Sequence, residues 1–512
     1  MSGLWPRISV RSEILEFFLV ANTPERQDRA SGTRKHEGAA LAGGAALTAL
    51  SRAFAQFCQI VIFIYAARIL GPEDFGLFAL ISAIAIVALK VAEAGWSEYI
   101  MAWSSGPDES QKVLGIACLC GVAMALVGIA AAAIGLPFFN HGDIPLLIAG
   151  FAIWILLATP SAAWNGIMIW QGRIMAFGLT GMAGEAVGLV VTLVMLSSGY
   201  GFLSLVGGRL AQQTVFVILV IFVTHLLPRF GGLRQGLPGL LSFSKNILAS
   251  RIILVISNYA SVFIVGFFLG PASVGIFRAA ERVVGASVEL IGEPVKILAW
   301  KTFRSVRDVG TEEAYQNFAN VFFPLAWVIA LPVFFWISLF SEAIMLGLLG
   351  PEWQSAAPVI SIISMAAFLW IVGYATEPLL SLTGHASFLP RLFLFFAVVG
   401  IALVLAAGPF GVIAVAVAKV VAALVYFFVN LEVYRRKLGF KWWPVFRNML
   451  PALIPLAVVF GLLGYVDQTN ILTELNVLVR ALIISLPAVA LYLLLLAAFY
   501  RRTLIAFWRM MR

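Results

Sequence analysis

The sequence predicts an all-α polytopic membrane protein of about 14 transmembrane helices, set in two pseudo-symmetric six-helix lobes with two extra C-terminal helices. Three observations predict it. Hydrophobic residues fill 62% of the 512 positions and charged residues only 12%, against about 45–50% and about 25% in an average soluble domain. From residue 41 onward, apolar stretches near the ~20 residues that cross a bilayer follow one another almost without pause. A hairpin motif also recurs, from Leu70-Gly71-Pro72 to Leu269-Gly270-Pro271, an offset of 199 residues.

The elements follow in order. Residues 1–40 carry six basic residues, several acids and no long apolar core, so they lack the hydrophobic region of a secretory signal. They read as a cytoplasmic N-terminal extension. Spans 1–6 fall near 41–69, 75–100, 113–139, 144–170, 174–198 and 201–227, and make an N-lobe over 41–230. Spans 7–12 fall near 244–270, 274–299, 316–341, 355–383, 388–408 and 411–434, a C-lobe over 231–436. Spans 13 and 14, near 449–466 and 478–499, share the segment 437–512 with a basic tail. Several spans exceed 25 residues, so tilt or kinks are expected. A twelve-span count, with the last two segments as a re-entrant pair, is the alternative.

The net charge of +9 is distributed by side rather than gathered for nucleic acid, and no nucleic-acid partner is expected. Odd-to-even loops hold Glu73, Asp74, Asp143, Glu342, Glu352, Asp467 and Glu474, and the nearest cation is Arg68 at the end of span 1. Even-to-odd loops hold Arg173, Arg229, Lys301, Arg304, Arg307, Arg435, Arg436 and Lys437, and the tail adds Arg501, Arg502, Arg509 and Arg512. The positive-inside rule then puts both termini in the cytoplasm. A wrong span count would break the alternation.

The repeat compares Leu70 to Phe78 with Leu269 to Phe277, and the same ungapped offset sets Ser51-Arg52 on Ser250-Arg251. Span 1 therefore pairs with span 7 in the same orientation. A parallel repeat of this kind, with a central site between lobes, is a transporter signature.

Ionisable groups inside the bilayer cost roughly 2.5–3.5 kcal/mol each at a helix centre by insertion scales, so they must face a cavity or one another. Within spans stand Arg52, Lys90, Glu93, Glu185, Arg209, Arg251, Glu281, Arg282, Glu289, Glu293, Lys296 and Lys419, with Arg278 near an end. Arg278, Arg282, Glu289, Glu293 and Lys296 lie within about 60° of one another around span 8. Such a stripe lines a polar cavity or forms a self-neutralised ladder between helices, Glu293 and Lys296 being i,i+3. Lys90 and Glu93 have the same spacing. Arg52 and Arg251 sit at equivalent depth, where two guanidinium forks suit a pyrophosphate; snorkelling to the interface is the other reading. Arg209 and Lys419 occupy the sixth helix of each lobe and add positive charge. Glu185 has no local partner and bonds a neighbouring helix or carries a proton.

No catalytic or cofactor chemistry is visible. There is no phosphate-cradling glycine loop. The four histidines are scattered without metal-ligand spacing, and Cys58, Cys118 and Cys120 lie in apolar stretches that imply no disulfide framework.

The run Ala67-Arg68-Ile69-Leu70-Gly71-Pro72-Glu73-Asp74-Phe75-Gly76-Leu77-Phe78 resembles the first hairpin of the Wzx-type polysaccharide and oligosaccharide flippases, in the multidrug/oligosaccharidyl-lipid/polysaccharide exporter superfamily. Gly270 to Ala280 resembles their second-lobe hairpin. Leu349-Gly350-Pro351-Glu352-Trp353 resembles the stretch before span 10. The likeness covers roughly 40–435. It implies a V-shaped cationic cavity, alternating access and the bacterial inner membrane. It also implies an anionic polyprenyl-pyrophosphate-linked oligosaccharide as substrate, for exopolysaccharide or lipopolysaccharide synthesis, beside membrane lipids and the polymerase and export machinery as partners. Many relatives carry an acid early in span 7, where this chain has Asn258-Tyr259-Ala260, so no ion-coupling residue carries over.

Three other readings remain. A multidrug or cation exporter of the same fold wants a net acidic cavity, whereas basic groups outnumber acidic ones in these spans. A lipid II flippase fits the spans and the charge equally, though the hairpin motifs favour the polysaccharide branch. A membrane glycosyltransferase or polymerase usually needs a large outer loop, and these loops are short.

Overall fold

The computed structural model describes residues 47, 50–103, 106–135, 143–231, 237–469, 475–501 and 505. The extension 1–40, Glu474 and most of the basic tail lie outside the described residues.

Among the described residues, thirteen helices are long and apolar enough to cross a membrane. One of them, Arg251–Val309, contains Gly270 in a non-helical conformation (φ 80°, ψ 177°), so two helices meet there and the crossings number fourteen. In the first lobe stand α1 (Leu50–Ile69), α2 (Pro72–Glu93) with its short continuation α3 (Trp96–Trp103), α4 (Pro107–Gly135), α5 (Asp143–Trp170), α6 (Ile174–Ser197) and α7 (Leu203–Thr224). The second lobe holds α8 (237–269), α9 (271–309), α10 (Glu312–Leu339), the short α11 (Ser341–Leu348), the broken span α12 (Pro351–Leu382), α13 (Leu389–Ala407) and α14 (Val412–Leu438). α15 (Trp442–Gln468) and α16 (Val477–Phe499) complete the chain. Both are full-length spans, so the re-entrant alternative is set aside.

The repeated hairpin is the pivot of the architecture. Pro72 opens α2 at the first helical position, with Glu73 and Asp74 complementing the helix dipole. Pro271 opens α9 in the same way, after a glycine whose positive φ other residues resist. The two helices then cross so closely that a Cβ on Gly76 would fall well under 3.0 Å from the carbonyl oxygen of Pro271, and one on Gly275 would meet that of Pro72 likewise. Gly76 and Gly275 are themselves related by the 199-residue offset. Small residues that let backbones touch are the usual currency of helix association in lipid, where there is no hydrophobic drive between helices.

More contacts seal this end, the one bearing the acidic loops. Trp353 is buried and donates from Nε1 to the carbonyl of Ala67 at 2.8 Å. The edge of Phe75 meets its ring at 5.6 Å. Arg68 donates to the carbonyls of Leu348 and Gly347 at 2.7 and 2.6 Å, so a cation at this side satisfies the open end of α11; Arg480, at the start of α16, is a second cation here and pairs with Asp467.

α16 packs on α10 through Trp336 Nε1 to Ser485 Oγ (2.6 Å) and Tyr492 Oη to the Val328 carbonyl (2.9 Å), and α15 does so through Asn448 Nδ2 to the Asn320 carbonyl (3.1 Å). α12 is broken into short helical pieces between 357 and 382. The fully buried Tyr434 of α14 donates to the Val372 carbonyl at this break, at 2.8 Å, beside the longer bond from the Ala375 N–H at 3.3 Å, since lipid offers no donor.

Candidate functional site: two cavities and a shared carboxylate

The first cavity lies between the lobes and measures about 220 Å³. α1 contributes Gln59, α2 Phe78, α6 Glu185, α7 Arg209, α8 Tyr259 and α9 both Arg278 and Arg282. Arg209 stands 5.9 Å over the Phe78 ring and 5.4 Å over that of Trp154, and Arg278 stands 5.4 Å over Tyr259. These aromatic faces offset part of the desolvation of each guanidinium without neutralising it. Among the described residues, Arg209 and Arg282 form no ion pair. The cavity's one carboxylate, Glu185, accepts from Gln212 at 2.6 Å and Gln59 at 3.4 Å. Three arginines thus face one acid.

The second cavity, about 470 Å³, lies within the C-lobe between α8, α9, α12, α13 and α14. Its charges are mostly matched. Lys296 bonds Glu377 at 2.6 Å rather than its i,i+3 neighbour Glu293. Lys419 bonds Glu281, and the other oxygen of that carboxylate holds Arg278 at 3.1 Å. Glu281 therefore joins the lysine of one cavity to an arginine of the other.

The stripe on α9 is divided accordingly. Arg278 and Arg282 line the first cavity, and Glu293 and Lys296 the second. Glu289 accepts from Gln56 of α1 at 3.3 Å. Lys90 and Glu93 form an ion pair at 2.6 Å.

Arg52 and Arg251 have different surroundings despite their equivalent places. Arg251 bonds Glu98 of α3 and lies 3.5 Å from Glu93, tying the lobes together at the basic end. Arg52 is exposed and has no ion pair among the described residues. The offset explains why: the positions matching Glu93 and Glu98 are Gly292 and Ile297, so the acids that hold Arg251 have no counterpart for Arg52. Neither arginine lines either cavity.

Sequence reasoning missed Glu377, Glu98 and the role of Glu281. The rule that found the other intramembrane charges reaches Glu377, inside an apolar stretch. Arg278 and Glu281 share the i,i+3 spacing that flagged Lys90 and Glu93.

Residues 66–358, more than half of the chain, match the family described as polysaccharide biosynthesis protein. The chain belongs to that family. One curated relative is the succinoglycan biosynthesis transport protein ExoT of Rhizobium meliloti (strain 1021), 22% identical over 308 residues. That match takes in 59% of this chain and 60% of ExoT, so the chain spans less than two thirds of the relative's length. Among solved structures, the lipid II flippase MurJ in an inward closed conformation superposes with a TM-score of 0.71 at 14% identity, covering 90% of this chain and 100% of MurJ. An inward-facing multidrug resistance MATE transporter gives 0.59 at 16% identity, over 74% and 94%. Likeness at such identity establishes the two-lobe flippase and exporter fold. The protein is a multi-pass membrane protein with that fold.

Proposed function

We propose that this protein flips a polyprenyl-pyrophosphate-linked oligosaccharide across the bacterial inner membrane, by alternating access, for exopolysaccharide or lipopolysaccharide biosynthesis. Both termini lie in the cytoplasm, the protein performs no catalysis, and the polymerase and export machinery receive the product. The observation that carries the reading is the first cavity, where Arg209, Arg278 and Arg282 from both lobes face one another with Glu185 the single acid. Guanidinium forks match phosphate oxygens bidentately. A cation exporter would present the opposite sign. Family membership supports a role in polysaccharide synthesis, and the name of ExoT supports transport within it.

In this reading the pyrophosphate sits between Arg209 and the α9 arginines, and Arg251 with Glu98 and Glu93 closes the basic end behind it. The cavity lies between that latch and the Gly76–Gly275 crossing, roughly 30 Å apart at 1.5 Å rise per residue. Binding of a divalent anion to both lobes supplies the differential affinity that a switch requires.

The test is translocation in proteoliposomes containing only this protein, with lipid-linked oligosaccharide, lipid II and a cationic dye offered separately. Transfer of the oligosaccharide lipid, lost in Arg209→Ala/Arg282→Ala, supports the reading. Transfer of lipid II alone, or of the dye alone, overturns it.

A further inference from the structure

The second cavity differs from the first in what it offers. Its cations are already held, Lys296 by Glu377 and Lys419 by Glu281, so it adds little pull on a free anion. What it presents instead is aromatic surface with fixed polar groups between the rings. Trp370 is 46% exposed and lies edge-to-face with Tyr426, centroids 5.5 Å apart at 84°. Tyr426 is locked by donating to the Phe396 carbonyl at 2.6 Å. On the same wall, Asn430 donates to the Tyr426 carbonyl and accepts from Thr376, both at 2.8 Å. Asn258 on α8 and Glu293 on α9 line the cavity and have no hydrogen-bond partner among the described side chains.

A sugar ring has two kinds of surface. Its C–H faces pack on an indole or phenol ring, and its hydroxyls need planar partners that donate and accept, as an amide does, or that accept, as a carboxylate does. A cavity with Trp370, Tyr426, Asn258 and Glu293 supplies both. Position agrees with chemistry, because one carboxylate bridges a lining cation of each cavity. Glu281 touches Arg278 on one side and Lys419 on the other. A head group whose phosphates lie against Arg278 has its first sugars on the Lys419 side.

We infer that the C-lobe cavity is a carbohydrate subsite, holding the phosphate-proximal sugars of the lipid-linked substrate while the inter-lobe cavity holds the pyrophosphate. This rests on the function proposed above and adds to it a division of the substrate between the cavities.

The experiment measures binding of two probes to the full chain in nanodiscs. They are sugar-free polyprenyl pyrophosphate and the same lipid bearing a neutral hexose disaccharide. Wild type is expected to bind the glycosylated probe at least tenfold more tightly. Trp370→Ala and Asn258→Ala should each remove most of that difference and leave the sugar-free Kd unchanged, and Trp370→Phe should restore part of it. Equal losses for both probes in Trp370→Ala, or none for either, overturn the subsite. Equal binding of the two probes by wild type overturns it too. Failure of wild type to bind the sugar-free probe strikes the proposed function itself and is seen without any variant.

Discussion

Lys419 stands 5.3 Å over the ring of Phe277 as Arg209 stands 5.9 Å over that of Phe78, and the two phenylalanines are 199 residues apart. The repeat has thus kept an arrangement as well as a topology, a cation from the sixth helix of each lobe set on the face of the same phenylalanine of its second. The lobes part at the counter-charge. Lys419 has Glu281. The position matching Glu281 in the first lobe is Ser82, which lines the inter-lobe cavity without charge. The excess positive charge of that cavity follows from this difference.

Arg209 and Arg282 are each expected to contribute one charged hydrogen bond to the substrate phosphate, about 1.5–3 kcal/mol. Arg282→Ala should lower oligosaccharide-lipid translocation about 10- to 100-fold at unchanged protein yield. Initial rates in proteoliposomes measure it, and a wild-type rate in both single variants removes the arginines from the site.

Ser82→Glu restores to the first lobe the acid that its repeat carries. One carboxylate there should offset one of the two arginines that form no ion pair, so anionic lipid binding should weaken by at least tenfold. Charge rather than volume is responsible if Ser82→Gln retains most of the affinity.

Gly76→Ala and Gly275→Ala both push a methyl into a backbone carbonyl of the other lobe. Each should destabilise this closed arrangement by about 1–3 kcal/mol. Because both relieve or strain one crossing, the double variant should fall short of the sum. Thermal unfolding in detergent gives the comparison. Full additivity means that the two glycines do not share a contact.

Arg251→Glu should loosen the lobes at the basic end, and Arg251→Glu with Glu98→Arg should recover much of the loss. The pair is about a third exposed on each side, so its worth is small, and recovery is best read in transport rate and in its weakening at high salt. A double variant no better than the single one shows that the ion pair is not the latch.

Tyr434→Phe keeps the packing of α14 and leaves the Val372 carbonyl at the break in α12 with the Ala375 N–H alone, at 3.3 Å. Loss of one hydrogen bond costs about 0.5–1.5 kcal/mol. A melting temperature equal to wild type would show that a neighbouring group replaces the bond.

The crossings, their number and their pairing into lobes were legible because bilayer thickness and alternating loop charge act on the chain locally. So were ion pairs one helical turn apart, such as Lys90 with Glu93. Pairs between helices were not. Lys296 has Glu293 one turn away yet reaches Glu377, because helix rotation and the break in α12 bring that acid nearer. Arg52 and Arg251 look alike along the repeat, but their partners come from α2 and α3, where the lobes differ. The crossing at Gly76 and Gly275 was visible only as a motif, since a glycine records what must be absent from a place and not what comes there.

At the acidic end the lobes meet through Gly76, Gly275, two prolines, Phe75, Trp353 and an arginine on carbonyl oxygens, none of which changes protonation in a living cell. At the basic end they meet through carboxylates and a guanidinium. The first closure is indifferent to acidity and to salt, and the second is not. A protein built this way keeps its hold at one face fixed across changing surroundings, whereas the ionic composition of the medium tunes the other.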